Sequence, residues 1–534
     1  IKLYLLILLT TGLYSCKKNQ LNDSNQLNDS IEKKEVQKIY APGSVVIDTT
    51  LLKGYSEKIK NFYQQNDFRT VWTDSTDVRQ LLQSINKVNE DGLNPQDYYL
   101  KKITDLKSKK TGLSEDQRIQ LDLYLTSSFY RLANHFNSGK LNPRNLYTDW
   151  EINRGDLDTP RLLQESLLAH NVETKLDSLK PNHEIYKRLK TALAKVDPNV
   201  EEPLENLKPI VLVGKLVPND TNPKVIEVKQ KLAKMKLYTL EDSITSIYND
   251  TLLVAVKKFQ KKNNLPQDGI IGTGTLKALN YNKAQRKAQI IANMERMRWY
   301  PRDLGENFVL VNIPGYELWL VSKGDTLQSH KIVVGKNKRR TPILSSKFSN
   351  LVLNPTWTVP PTIIKEDLTP AATRNRGYFA NNRIKIYNSK GGLVSADNWN
   401  PALAKSYRYV QDPGSQNSLG IIKFNFPNNH MVYLHDTSNR SIFNKGGRDL
   451  SSGCVRVQNP EKLALKLLEL DNSEVTEDQF NKILASLKTS SIKINSPIYV
   501  HQFYWTVSIA RDGGINFKDD IYELDFDLYL KMRK

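Results

Sequence analysis

The chain has 534 residues, enough for two to four domains with sizeable cores. Lys and Arg number 77 against 57 Asp and Glu, a formal net charge of +20, yet no basic run with interleaved aromatics stands out, so nucleic acid is not the expected partner. The seven histidines are scattered, with no His-Glu-x-x-His and no paired Cys-x-x-Cys, so neither a metal nor another cofactor is expected.

At the start, Lys2 precedes an apolar run from Leu3 to Leu9, too short to cross a bilayer as a helix and built like a secretory signal. It leads into Leu13-Tyr-Ser-Cys16, which resembles a bacterial lipoprotein signal. That resemblance implies cleavage before Cys16 and lipid on its thiol, hence a protein anchored to a membrane of the cell envelope. Residues 1–16 are then the signal. Residues 17–44, rich in Asn, Asp, Ser, Gln and Lys, have the composition of a flexible tether. With Cys16 lipidated, Cys454 is the one leftover thiol of an exported chain, and such a thiol invites a chemical role.

Residues 45–205 form a predicted helical scaffold. Leu121, Leu125, Phe129 and Leu132 recur at helical spacing within 117–135, and Leu81, Leu82, Ile85 and Val88 make a second stripe. Asp91-Gly-Leu-Asn-Pro95 and Gly139-Lys-Leu-Asn-Pro143 break the helices, and 160–195 suggests more of them. Trp72, Tyr98, Tyr99 and Trp150 are read as core aromatics rather than a sugar groove.

Residues 206–283 form a compact unit. Val225, Val228 and Leu232 mark one helix, Val254-Ala-Val-Lys-Lys-Phe-Gln260 a second, and Thr275 to Asn280 a third, with an Asp268-Gly-Ile-Ile-Gly272 turn between. This resembles the three-helix peptidoglycan-binding domain, with a long insert, Tyr238 to Asp250, between its first two helices.

Beyond residue 284 the pattern turns to alternation. Strands are expected at 308–313, 317–321 and 331–335, then at 419–426, 431–435 and 498–509, with a helix over 461–470 and an Asp-Gly-Gly turn near 512. The polar, loop-rich stretch 362–418 interrupts the strands as a lid-like insertion.

The chemistry concentrates in His435-Asp-Thr437 and Ser451-Ser-Gly-Cys454-Val-Arg456. Cysteine attacks as the thiolate, so it needs a base or a positive field, and His435, 19 positions earlier, supplies the base. Gly453 allows close backbone approach, and amides around Ser452, Gly453 and Cys454 are candidate oxyanion donors. Arg456 is a candidate fork for a substrate carboxylate or a brace for the strand; Tyr433 is a candidate cleft wall, and Trp357 is better placed in the core. A third group to orient His435 is not evident; Asp436 is a candidate by position alone.

His, a variable loop and Ser-x-Gly-Cys-x-Arg resemble the L,D-transpeptidase catalytic domain of the YkuD type. Trp299-Tyr-Pro, Val311-Asn-Ile-Pro, Val334-Gly, Asn354-Pro-x-Trp357 and Ser452-Gly-Cys454 are similar to the long, YcbB-like subtype of Gram-negative bacteria. The resemblance implies a multidomain α+β protein: helical scaffold, peptidoglycan-binding domain and a mostly-β catalytic domain over 284–534. It implies a periplasmic lipoprotein whose partners are peptidoglycan stem peptides and glycan, with no cofactor. It implies thioester transfer from a tetrapeptide stem, with loss of D-alanine, to give a 3→3 cross-link. Hydrolysis of the same bond, transfer to another acceptor, or a degenerate wall-binding lipoprotein are the other readings.

Overall fold

The computed structural model describes residues 37–152, 155–196, 209–240, 244–262, 265–280, 283–509 and 514–534. The signal, Cys16, most of the tether and the turn at 512 lie outside the described residues. One compact unit spans Ile39–Lys534. Its first residues, expected to belong to the tether, are tied to the scaffold: Tyr40 donates to Asp67 Oδ2 at 2.8 Å and Arg69 donates to the Ser44 carbonyl at 3.1 Å.

The scaffold is helical, as its apolar stripes require. Ser75–Asn86 is capped by Asp74, whose carboxylate accepts from the Thr76 amide, and it buries Val78, Leu81 and Ile85. Glu115–Ser138 opens on a capping box between Ser114 and Gln117. Thr159–Leu168, Val172–Ser178 and Glu184–Ala194 follow. Trp72, Tyr98 and Trp150 are buried, while Tyr99 stacks half-buried on Tyr124.

The module expected over 206–283 has its own core of Val225, Val228, Leu232, Val256, Phe259 and Leu279. Its helices are Lys224–Lys234, Asp250–Lys262 and Thr273–Leu279. The end of the insert between the first two folds onto the module: Ile247 bridges Thr221, and buried Tyr248 donates to the Gly269 carbonyl at 2.6 Å.

Lys283–Trp299 joins the parts, and from Ile290 to Trp299 every residue is buried. It packs against Glu184–Ala194, Glu115–Ser138 and the C-terminal helix Asp525–Met532, where Arg296 pairs with Asp525. Trp150 stacks on Tyr300 (5.7 Å between ring centres) and Tyr300 on Phe503 (4.0 Å), so one apolar core runs from the scaffold into the C-terminal sheet.

The C-terminal strands are β1 (Asn307–Asn312), β2 (Glu317–Ser322), β3 (Asp325–Gly335), β4 (Leu344–Lys347), β5 (Asn350–Leu353), β6 (Trp357–Thr358), β7 (Ile384–Tyr387), β8 (Leu393–Val394), β9 (Arg408–Gln411), β10 (Ile422–Asn425), β11 (Leu434–His435), β12 (Asp449–Ser451), β13 (Val455–Val457), β14 (Ser490–Lys493) and β15 (Ile498–Phe503). The main sheet runs β14-β5-β10-β11-β13-β3-β2-β1-β15-β4, with β12 also on β3. The expected helix near 461–470 is Pro460–Leu470.

The insertion is more than loop. It carries a four-stranded sheet, β6-β9-β7-β8, over its own core of Val359, Leu368, Phe379, Ile386, Trp399 and Tyr409, so it begins at Trp357 rather than 362. Its first helical run, residues 361–374, contains a π turn at Ile364–Leu368. No helix among the described residues is long and apolar enough to cross a membrane.

Candidate active site

Three adjacent strands build the site. Along them, Ile422, Phe424, Leu434, Val455 and Val457 are buried in the core, and the alternate positions turn to the other face. Register places Lys423 opposite His435 on β11, and His435 opposite Arg456 on β13. These three side chains therefore form one row across the sheet, with His435 in the middle.

Cys454 closes the turn between β12 and β13 as a free, half-buried thiol. Gly453 has φ +114°, a conformation closed to other residues without strain. The Thr341 hydroxyl donates to the Gly453 carbonyl at 2.8 Å and accepts from the Gly335 amide at 2.9 Å, pinning the turn to β3. Ser451 Oγ donates to the Cys454 carbonyl at 2.6 Å and accepts from the Gly453 amide at 3.2 Å. The Gly453 N–H, an expected oxyanion donor, is thus engaged within the turn. Among the described residues, the Ser452 and Cys454 amides have no protein acceptor and remain the candidate donors.

The thiol and the imidazole are both held neutral. Burial pushes the Cys454 thiol up, against the backbone amide and hydroxyl of Tyr433 and the charges of Lys423 and Arg456, which favour the thiolate. Burial pushes His435 down to about 3; Arg456 and Lys423 push the same way, and backbone acceptors at Asp436 and Leu419 oppose them. His435 Nδ1 is buried without a hydrogen-bond partner. The resting site thus presents a neutral base that is free to take a proton from a neutral nucleophile.

Asp436 does not orient that base through its side chain. Its carboxylate accepts from the Ile421 amide at 3.1 Å and from Arg440 at 3.2 Å. Gly420 makes room for it, since a Cβ there would sit 2.2 Å from Asp436 Oδ2. Tyr433, expected as a cleft wall, lies beside both groups: its ring meets His435 edge-on at 5.6 Å between ring centres, and its hydroxyl favours the Cys454 thiolate. Trp357, expected in the core, is half-buried on the first strand of the insertion.

Two features escape sequence reading. Lys423 is half-buried with its ammonium 4.0 Å from the centre of the Tyr433 ring. Arg339 pairs with Glu366 (2.6 Å) and Asp367 (2.5 Å) on the π turn and donates to Ser452 Oγ at 2.9 Å, strapping the insertion to the residue two before the thiol. A lysine alternating with apolar strand residues, Ile422-Lys-Phe424, was the available signal for the first. The second had none.

Residues 306–475 match the family model described as "L,D-transpeptidase catalytic domain". The segment is an L,D-transpeptidase domain. Residues 221–279 match "Putative peptidoglycan binding domain", and residues 57–193 match "Scaffold domain". A Haemophilus influenzae protein named "Putative L,D-transpeptidase" is 34% identical over 290 residues, which is 54% of this chain and 58% of that protein. Among solved structures, the L,D-transpeptidase from Xylanimonas cellulosilytica is 15% identical, over 55% of this chain and 100% of that one, with a TM-score of 0.16. The L,D-transpeptidase from Stackebrandtia nassauensis is 14% identical, over 54% and 94%, with a TM-score of 0.18. The expected α+β multidomain architecture is present, and the row Lys423–His435–Arg456 lies inside the transpeptidase domain.

Proposed function

We propose that the chain is a cysteine-dependent L,D-transpeptidase of the cell envelope, making 3→3 peptidoglycan cross-links. The observation that carries this reading is a free thiol on a glycine turn, one strand from a neutral imidazole whose buried Nδ1 has no hydrogen-bond partner, within a transpeptidase domain. Cys454 Sγ attacks the carbonyl of the L-centred diamino acid in a tetrapeptide stem while its proton passes to His435. The amides of Ser452 and Cys454 face the oxyanion. His435 returns the proton to the leaving D-alanine nitrogen, leaving a thioester. An amine of a neighbouring stem attacks the thioester, loses its proton to His435, and the thiol is restored.

The peptidoglycan-binding and scaffold domains support a wall substrate. Anchoring through lipid on Cys16, in the periplasm of a Gram-negative bacterium, is part of the same proposal. If water takes the place of the acceptor amine, the product is that of an L,D-carboxypeptidase. Mass spectrometry of a soluble form lacking residues 1–16, incubated with disaccharide-tetrapeptide, tests the reading. A dimer lighter than two monomers by one D-alanine, absent with Cys454→Ala, is expected. Loss of D-alanine without dimer moves the assignment to the carboxypeptidase, and no reaction with folded protein removes both.

A further inference from the structure

Lys423 and Arg456 flank His435 in one row, two strand spacings apart, about 10 Å between their backbones. Both side chains are long enough to converge on a single small group above the imidazole. Among the described residues, no carboxylate compensates either charge, and Arg456 Nε is buried without a partner. Lys423 sits on the Tyr433 ring, and that ring meets His435 edge-on. Two partly buried cations beside one imidazole repel each other and lose hydration, and an anion placed between them offsets both costs.

We propose that Lys423 and Arg456 form a carboxylate-binding subsite beside Cys454 that selects donor peptides ending one residue past the scissile carbonyl. This rests on the transpeptidase reading. In such a donor the terminal carboxylate is one Cα away from the leaving nitrogen, so it lies next to the reacting atoms. A donor longer by one residue places a neutral amide there and leaves the cations uncompensated. Burial is the main reason His435 is neutral, and the two cations add to it; a bound carboxylate offsets their share, so the base strengthens when the correct donor is seated. Sequence reading gave Arg456 a carboxylate role as one option; the cross-strand register adds Lys423 and places both in one subsite.

Binding and turnover separate the two layers of the argument. Calorimetry on Cys454→Ala protein compares disaccharide-tetrapeptide with the same donor carrying a C-terminal amide. The acid is expected to bind at least about ten-fold more tightly, as charge-assisted hydrogen bonds require. Adding Lys423→Gln is expected to close most of that gap, and Lys423→Arg to keep most of it. In Cys454-containing protein, kcat/KM for the acid donor should fall with Lys423→Gln while the amide donor changes little. Equal binding of acid and amide, or a gap untouched by Lys423→Gln, overturns the subsite. A binding gap in a protein that turns over neither donor supports the subsite and overturns the transpeptidase reading instead.

Discussion

The peptidoglycan-binding module and the catalytic sheet both carry recognisable polar motifs, and the motifs behave in opposite ways. In the module, Gln260 is 1% exposed, and its Nε2 donates to Asp268 Oδ1 (2.8 Å), the Ile270 carbonyl (3.0 Å) and Thr275 Oγ1 (3.1 Å). Its Oε1 accepts from the Gly269 amide at 2.9 Å. The Gln, Asp-Gly and Thr of that motif are thus closed on one another, and they fix a turn against a helix. In the catalytic sheet the motif is left open: His435 Nδ1 and Arg456 Nε are buried without partners, and Lys423 has no acid beside it. Buried polar atoms are normally satisfied, so a closed set speaks for folding, and an open set beside a free thiol speaks for a ligand.

Substitutions can break this comparison. His435→Ala is expected to lower turnover of soluble stems by about a thousand-fold or more while the protein stays folded, since it removes the only proton acceptor in the row. Gln260→Ala should do the reverse, costing the module about 1–3 kcal/mol by leaving buried groups unpaired while soluble-stem turnover stays within about two-fold. Abolished turnover in Gln260→Ala, measured beside its thermal unfolding, would show the module's motif to be open after all.

Smaller changes sharpen it. Arg339→Ala releases Glu366, Asp367 and Ser452 together, so amide exchange over residues 361–374 should quicken and kcat/KM fall by about ten-fold. Unchanged exchange would mean that the strap holds nothing. The acid side of the kcat/KM profile should show no inflection near 6.5, because His435 is neutral in the free enzyme down to about 3. Removing a positive neighbour favours imidazolium, so Lys423→Gln should move the His435 titration, read by NMR, upward.

The smallest effect lies in the scaffold, far from chemistry. Burial raises Asp122 to about 6, although Tyr63 and the Val71 and Trp72 amides all donate to it. The folded state therefore holds this proton more tightly than the unfolded chain. The resulting contribution to stability is full below the ordinary carboxylate range and is lost as pH rises through about 6. Asp122→Asn should flatten that part of a denaturant midpoint against pH.

Legibility in the sequence followed the range of the interactions. His435 and Cys454 were readable because residue type and a glycine beside the thiol carry the chemistry locally. The module was readable because its apolar stripes and its turn lie within one short segment. The row was not, since the pairing of Lys423 with His435 and of His435 with Arg456 is a matter of strand register. The insertion was legible as an interruption, but its sheet was not, because its strands have only two to four residues and its core draws Val359, Phe379, Trp399 and Tyr409 from irregular spacings. The engaged Gly453 amide depends on where Ser451 Oγ points, which the residue types leave open.

The central claim is that Cys454 carries the acyl group. Intact-protein mass spectrometry, after mixing with excess tetrapeptide donor and rapid acid quench, tests it most directly. The account predicts an adduct equal in mass to the donor minus one D-alanine, mapped to the peptide that contains Cys454, labile to hydroxylamine and missing in Cys454→Ser. An unmodified Cys454 alongside measurable D-alanine release, or an adduct on another residue, would contradict it.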